Sequence, residues 1–233
     1  MSVGVEEALP AVAQAREAAR PMRSPTAWDR AERACDLAIA GALTVVLLPL
    51  LLLVVLAIRL DSPGPAIFRQ RRVGRHGRRF TVLKFRTMQA GCEADPHRRY
   101  VRRLIAADAA QTGAGGLYKL DDDTRVTRVG RWLRRTSVDE LPQLVNVLRG
   151  DMSLVGPRPV IPYEVDLYPE WYAARFAVKP GLTGLWQVSG RNERTYEEMV
   201  RLDVQYARRR SPGLYFGILA RTVPTVALRR GVA

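Results

Sequence analysis

Residues 37 to 58 read LAIAGALTVVLLPLLLLVVLAI and contain no charged side chain. One membrane crossing needs about 20 apolar residues, so the segment is long enough to make one, and the core of a soluble domain seldom holds such a run. It starts too far from the N-terminus for a cleavable signal and ends in IRLDSPGP instead of a small-residue cleavage site. Pro49 lies near its middle, where the missing N–H and the clash of the ring with the preceding turn predict a kink or break. Each half then spans only about 18 Å at 1.5 Å per residue, against a hydrocarbon core of about 30 Å. Arg30 and Arg33 precede the segment, and Arg59, Arg69, Arg71, Arg72, Arg75, Arg78 and Arg79 follow it. By the positive-inside rule both ends belong on the cytoplasmic side. A re-entrant helix-break-helix hairpin in one leaflet, broken at Pro49, satisfies both constraints. A kinked single span with a short external N-terminus is the competing reading.

The remaining chemistry is cationic. With 37 Lys and Arg against 23 Asp and Glu, the chain carries a formal charge of +14, which draws anions: nucleic acid, acidic lipid headgroups or phosphorylated substrates. Its 233 residues, 47% of them hydrophobic, suffice for one well-packed domain. Cys35 and Cys92 stand in no metal-ligand or redox spacing and suit a reducing compartment. His76 and His97 have no Cys or His neighbour at ligand spacing, so zinc chemistry and a histidine-based triad are poorly supported.

Residues 1 to 30 lack a sustained apolar stripe and read as a loosely ordered tail. After the DSPGP turn, AIFRQRRV and RRFTVLKFRT read as two strands joined across a Gly-flanked turn, with a row of arginines at headgroup level. A helix is expected from Tyr100 to about Ala110; the QTGAGG loop lacks the Gly-Lys-Ser/Thr ending of a phosphate-binding loop. Leu141, Leu144, Val145 and Leu148 follow the spacing of a helix with one buried face, and Gly150 is placed to end it. Thr195 with Glu198 forms a capping-box pattern, and Ser211-Pro212 offers an N-cap with a first-turn proline. The final GLYFGILARTVPTVALRR suits a helix in the membrane interface or one packed on the core. No internal repeat is present. The fold class that follows is α+β, mainly helical: a monotopic membrane protein with a re-entrant hairpin, a small β-hairpin and interfacial amphipathic helices.

SVDELPQL, residues 137 to 144, poses the chemical question. One reading is an ordinary helix start. Ser137 and Glu140 would form a capping box, Asp139 would oppose the positive end of the helix dipole, and Pro142 would cost nothing so early in a helix. The other is a reactive carboxylate, because Arg131, Arg134 and Arg135 stand just before the pair and Arg158 follows in GPRPV. A carboxylate among arginines stays ionised, which favours a nucleophile or metal ligand over a general acid. Its attack on a phosphate is opposed by charge repulsion, so such a site needs a divalent cation and Arg or Lys on the phosphoryl oxygens.

Three stretches then carry a resemblance: KFRTM (84 to 88), RVTRVGRWLRRTSVDELPQLVNVLRGDMSLVGPRPV (125 to 160) and KPGLTGLWQVSGRN (179 to 192). Together they resemble the bacterial sugar transferase family, the monotopic phosphoglycosyl transferases that start glycan assembly on a polyprenyl phosphate. The likeness runs from about Ala34 to the C-terminus. It implies a tail (1–33), a membrane hairpin (34–60), a cytoplasmic catalytic domain (61–210) and a C-terminal interfacial helical segment (211–233). The implied location is the cytoplasmic face of the bacterial inner membrane. The implied activity is Mg2+-dependent transfer of a sugar 1-phosphate from a nucleotide diphosphate sugar, of the UDP-hexose kind, to polyprenyl (undecaprenyl) phosphate, with release of UMP. The resemblance also implies roles: Asp139 as the nucleophile forming a covalent phosphosugar intermediate, and Glu140 as the second carboxylate, both serving the metal. Arg134 would steady the dyad and phosphate, and Arg158 would contact the nucleotide. Lys84, Arg86 and Arg191 divide between phosphate contact and structural salt bridge.

The chain departs from the family pattern where Asp123-Thr124-Arg125 replaces the frequent Asp-Pro-Arg, and an Asx-turn or cap is the expected role of Asp121 to Asp123. Only a short tail precedes the hairpin, the expectation being a stand-alone catalytic unit. The GLWQVSGRN stretch resembles the branch that transfers plain hexose 1-phosphates. The expected partners are the two substrates and anionic membrane lipid, without nucleic acid, and a homodimer is left open. The rival readings are a membrane-tethered basic nucleic-acid binder, which lacks a recognition motif, and a membrane scaffold, which leaves the Asp139-Glu140 pair without a purpose.

Overall fold

The computed structural model describes residues 26–91, 124–190 and 194–227. The helix expected from Tyr100, the QTGAGG loop, Asp121 to Asp123 and Arg191 lie outside the described residues. Helix α1, Ala27–Asp61, opens with a reciprocal cap that the sequence reading missed. Thr26 Oγ1 accepts the Asp29 N–H at 3.2 Å while Asp29 Oδ2 accepts the Thr26 N–H at 2.6 Å. The backbone stays helical through Pro49, so the helix-break-helix expected there does not appear: one continuous helix contains the proline. One lost hydrogen bond does not outweigh the helix preference of the leucines on either side.

Burial along α1 is confined to its ends. Glu32, Asp36 and Ala40 are buried at one end and Val54 and Ile58 at the other, while no residue from 41 to 53 is buried. Val46 is 74% exposed and Leu53 64%. Both ends rest on the same folded domain. Arg33 donates to the carbonyls of Val147 and Leu148 at 2.6 and 2.8 Å, and Asp36 accepts from the Leu154 N–H and the Tyr215 hydroxyl at 2.9 and 2.8 Å. At the far end Ile58 and Val54 pack with Phe85 and Leu133, and Asp61 accepts the Val129 N–H at 3.1 Å.

The β-hairpin forms as expected. Strands β1, Ile67–Val73, and β2, Arg79–Phe85, pair antiparallel with Phe68 opposite Lys84 and Gln70 opposite Val82. The chain then reaches α2, Arg128–Thr136, capped by Thr127, and α3, Gln143–Arg149, which Gly150 ends in the left-handed region at φ 89°. Strand β3, Ser153–Val155, runs parallel to β4, Gly181–Thr183, and the one-turn α4, Pro162–Val165, lies between them in sequence. Helix α5, Tyr196–Arg209, carries the expected Thr195/Glu198 capping box. Helix α6, Pro212–Ala227, starts with Ser211 Oγ accepting the Leu214 N–H at 3.3 Å. One side of α6 supplies the fully buried Tyr215 and Ile218, and the other leaves Phe216 and Val223 exposed. The main core gathers Ala40 of α1, Val82, Leu144, Val147, Leu154, Tyr206 and Tyr215, so α1 and α6 share one apolar centre with the hairpin and α3. The described residues are mostly helical, with two small sheets and one long apolar helix among them.

Candidate active site

The Asp139-Glu140 pair does not begin a helix. Ser137 caps the end of α2 in the left-handed conformation, φ 57°, and makes no side-chain capping bond. The pair lies on a separate 3-10 turn, Val138–Glu140, and α3 starts only after Pro142. The capping-box reading therefore fails, because a left-handed Ser137 cannot offer the extended geometry of an N-cap. Glu140 turns instead toward the β-hairpin, where its Oε1 accepts from Lys84 Nζ at 2.8 Å and stands 3.6 Å from an Arg158 nitrogen.

Sheet register explains how these groups meet. Opposed residues of an antiparallel pair project to the same side, so Lys84, Gln70 and Arg72 share one face of the hairpin. Asn146 of α3 fixes the backbone of β2: fully buried, it accepts the Leu83 N–H at 3.1 Å and donates to the Thr81 carbonyl at 2.7 Å. Arg72 donates to Gln70 Oε1 at 2.6 Å and to the Pro159 carbonyl at 3.0 Å, beside Arg158. Lys84, Glu140, Arg72, Arg158 and Gln187 line one shallow cleft. Burial by itself would raise the Glu140 pKa; the charges of Lys84, Arg158 and Arg72 overcome it and hold the carboxyl down to about 2. Asp139, its neighbour on the same turn, is half-buried.

The other anticipated residues divide. Arg134 sits in the last turn of α2, and its Nε donates to Thr87 Oγ1 at 2.9 Å, which ties the KFRTM stretch to the chain just before the dyad. Close approach there depends on Gly130, since a Cβ at that position would lie 2.1 Å from the Thr87 carbonyl oxygen. Arg86 plays a structural part. It is buried and donates to the carbonyls of Ser62 and Pro63 at 2.6 and 2.8 Å, closing the exit of α1. Arg191 lies outside the described residues. Asn146, Arg175 and Asp203 were not singled out from the sequence, and Arg72 entered only among the cations that follow the apolar segment. Arg72 did leave a trace there, as a cation two residues from Gln70 on a strand, where period-two spacing places them on one face.

Among the described residues no group of three or more His, Cys, Asp or Glu side chains is placed to hold a metal. Magnesium asks for less, since one or two carboxylates suffice when substrate phosphates and water complete the octahedron. Adjacent carboxylates on a single turn, Asp139 and Glu140, fit that requirement.

Residues 28–229 match the family described as bacterial sugar transferase. The chain is 46% identical over 209 residues to the UDP-glucose:undecaprenyl-phosphate glucose-1-phosphate transferase of Caulobacter vibrioides, covering 86% of this chain and 71% of that protein. It is 41% identical to the exopolysaccharide production protein ExoY of Sinorhizobium fredii, over 86% of this chain and 87% of the relative. It is 43% identical to the galactosyl transferase CpsE of Streptococcus agalactiae, of which it spans only 40%. Match over nearly the whole chain, together with the carboxylate pair set among cations, leads to one assignment: the chain belongs to the bacterial sugar transferase family.

Proposed function

We propose that the protein transfers a sugar 1-phosphate from a nucleotide diphosphate sugar, in the first instance a UDP-hexose, to undecaprenyl phosphate. The observation that carries this reading is the ionised Glu140 carboxylate beside Asp139 in a cleft lined by Lys84, Arg72 and Arg158. Relatives named for the transfer of glucose 1-phosphate to undecaprenyl phosphate, or for exopolysaccharide production, support it.

In the first step a carboxylate oxygen of Asp139 attacks the sugar-bearing phosphorus. The phosphoanhydride P–O bond breaks and its electron pair leaves with UMP. An oxygen of undecaprenyl phosphate then attacks the phosphorus of the acyl phosphate, which returns Asp139 as a carboxylate and yields the lipid diphosphate sugar. Lys84 and Arg158 hold Glu140 ionised next to the reacting group, and with Arg72 they offset the charge of the diphosphate. Bound Mg2+, held by Asp139 and Glu140, would neutralise phosphoryl oxygens.

The acceptor is a lipid, and the apolar helix accounts for access to it. Both ends of α1 rest on one domain while its middle exposes valine and leucine. A straight crossing would put the ends about 30 Å apart on opposite sides of the hydrocarbon, where a single domain cannot hold both. This supports a re-entrant seat in the cytoplasmic leaflet of the inner membrane, bent at Pro49. Purified protein in nanodiscs, given a panel of nucleotide sugars with Mg2+, is expected to release nucleoside monophosphate, with continued turnover only when undecaprenyl phosphate is present. Silence across the panel, or labelling of Arg30→Cys and Arg59→Cys variants from opposite sides of sealed vesicles, would refute the reaction and the topology respectively.

A further inference from the structure

Arg158 sits in Gly156-Pro157-Arg158-Pro159, between β3 and α4. Two prolines remove two of the four backbone donors here, and apart from the Gly156 N–H, which donates to the Thr183 carbonyl at 2.9 Å, the segment is held through its carbonyls. Three successive ones are gripped from outside. The Pro157 carbonyl accepts the Gly181 N–H at 2.9 Å, the Arg158 carbonyl accepts from the Arg175 guanidinium at 3.1 Å, and the Pro159 carbonyl accepts from Arg72 at 3.0 Å. A Cβ on Gly181 would lie 2.0 Å from the Gly156 nitrogen, so the first of these contacts exists only because β4 has a glycine there.

The middle grip is the unusual one. Arg175 and Asp203 form an ion pair with side chains only 4% and 1% exposed, in which the Asp203 carboxylate accepts from the guanidinium that also holds the Arg158 carbonyl. Asp203 thus fixes the guanidinium that grips the Arg158 carbonyl. Tyr168, whose hydroxyl accepts from Arg175 at 3.2 Å, orients the guanidinium further. Such a buried pair adds little to stability, since apolar side chains of like volume usually serve as well. On the other face of the same residue, the Arg158 guanidinium reaches Glu140 and the cleft.

We propose that Arg175 and Asp203 are positioning residues for the reaction: they lock the Arg158 backbone so that its guanidinium stays over the phosphate-binding cleft beside Glu140. The inference rests on the function proposed above for its substrate, a diphosphate group, and on geometry alone for the coupling. Removing the lock lets the guanidinium stray by about 1 Å, enough for a roughly tenfold to hundredfold loss.

The test is a double-mutant cycle on the full-length protein in nanodiscs, with inorganic pyrophosphate binding measured by calorimetry and donor KM and kcat measured in parallel. Asp203→Asn is expected to weaken pyrophosphate binding and raise donor KM about tenfold, and to have no further effect in an Arg158→Met background. A paired Arg175→Met/Asp203→Leu variant, which leaves no orphaned buried charge, should fold and show the same loss. Equal effects of Asp203→Asn with and without Arg158, unchanged binding in the folded paired variant, or no pyrophosphate binding by the wild type would each overturn the inference. A wild type that binds pyrophosphate but turns over no nucleotide sugar would count against the proposed function, while the binding cycle still decides the coupling.

Discussion

Glu140 and Asp203 each face an arginine, yet their surroundings drive them in opposite directions. Burial opposes ionisation at both. At Glu140, still 23% exposed, Lys84, Arg158 and Arg72 together prevail and the pKa falls to about 2. At Asp203, 1% exposed, Arg175 does not offset the loss of water and the pKa rises. The contrast teaches that an arginine contact does not by itself fix the state of a carboxylate; the balance of desolvation against the number of nearby cations does. The first arrangement keeps charge available in a cleft, and the second uses charge to fix a backbone.

The sharpest way to break this contrast is to remove the charge expected to react. Asp139→Asn should lower turnover by at least about 10³-fold and abolish any covalent phosphosugar adduct seen by intact-protein mass spectrometry, with the fold unchanged. An adduct on another residue would move the chemistry away from the turn.

Next in size, the two ion pairs should differ in what their loss costs. Arg175→Met strands a buried carboxylate and should cost about 3–5 kcal/mol in denaturant unfolding, most of it recovered by Arg175→Met/Asp203→Leu. Lys84→Met, at the wetter pair, should cost about 1 kcal/mol or less while raising donor KM severalfold. Equal stability losses would erase the distinction.

A smaller effect is expected at the approach to the site. Gly130→Ala forces a methyl against the Thr87 carbonyl and should cost about 1–3 kcal/mol, with the Arg134–Thr87 contact strained as well.

The mildest test is pH, in chelator. Glu140, with its folded pKa depressed, stabilises the fold fully above about 4.5 and loses that contribution as pH falls toward 2, so Glu140→Gln should flatten the acid limb of the stability curve. Asp203, with its folded pKa raised, contributes below the carboxylate range and loses that contribution as pH rises through about 7, so Asp203→Asn should flatten the opposite limb. Urea midpoints across pH 3 to 8 would show both slopes or neither.

Much of this was legible in the chain. The β-hairpin, the Gly150 stop, the Thr195/Glu198 cap and the Ser211-Pro212 start are local rules, and all four appear as expected. The Ser137/Glu140 cap failed because Ser137 ends one helix in the left-handed region where its sequence pattern suggests the start of the next, and only the backbone shows which geometry it adopts. Arg86 resembles a phosphate ligand in sequence but directs its donors to Ser62 and Pro63.

By itself the sequence determined that an uncharged run long enough for the bilayer adjoins an arginine-rich domain, and that two carboxylates stand together among cations. Those are properties of neighbours along the chain. Which cations surround Glu140, and that Arg175, paired with Asp203, holds the Arg158 carbonyl, was decided by tertiary structure. Lys84 is 56 residues from Glu140 and Asp203 is 28 from Arg175, and such pairs meet only once strand register and helix packing have fixed where each side chain points.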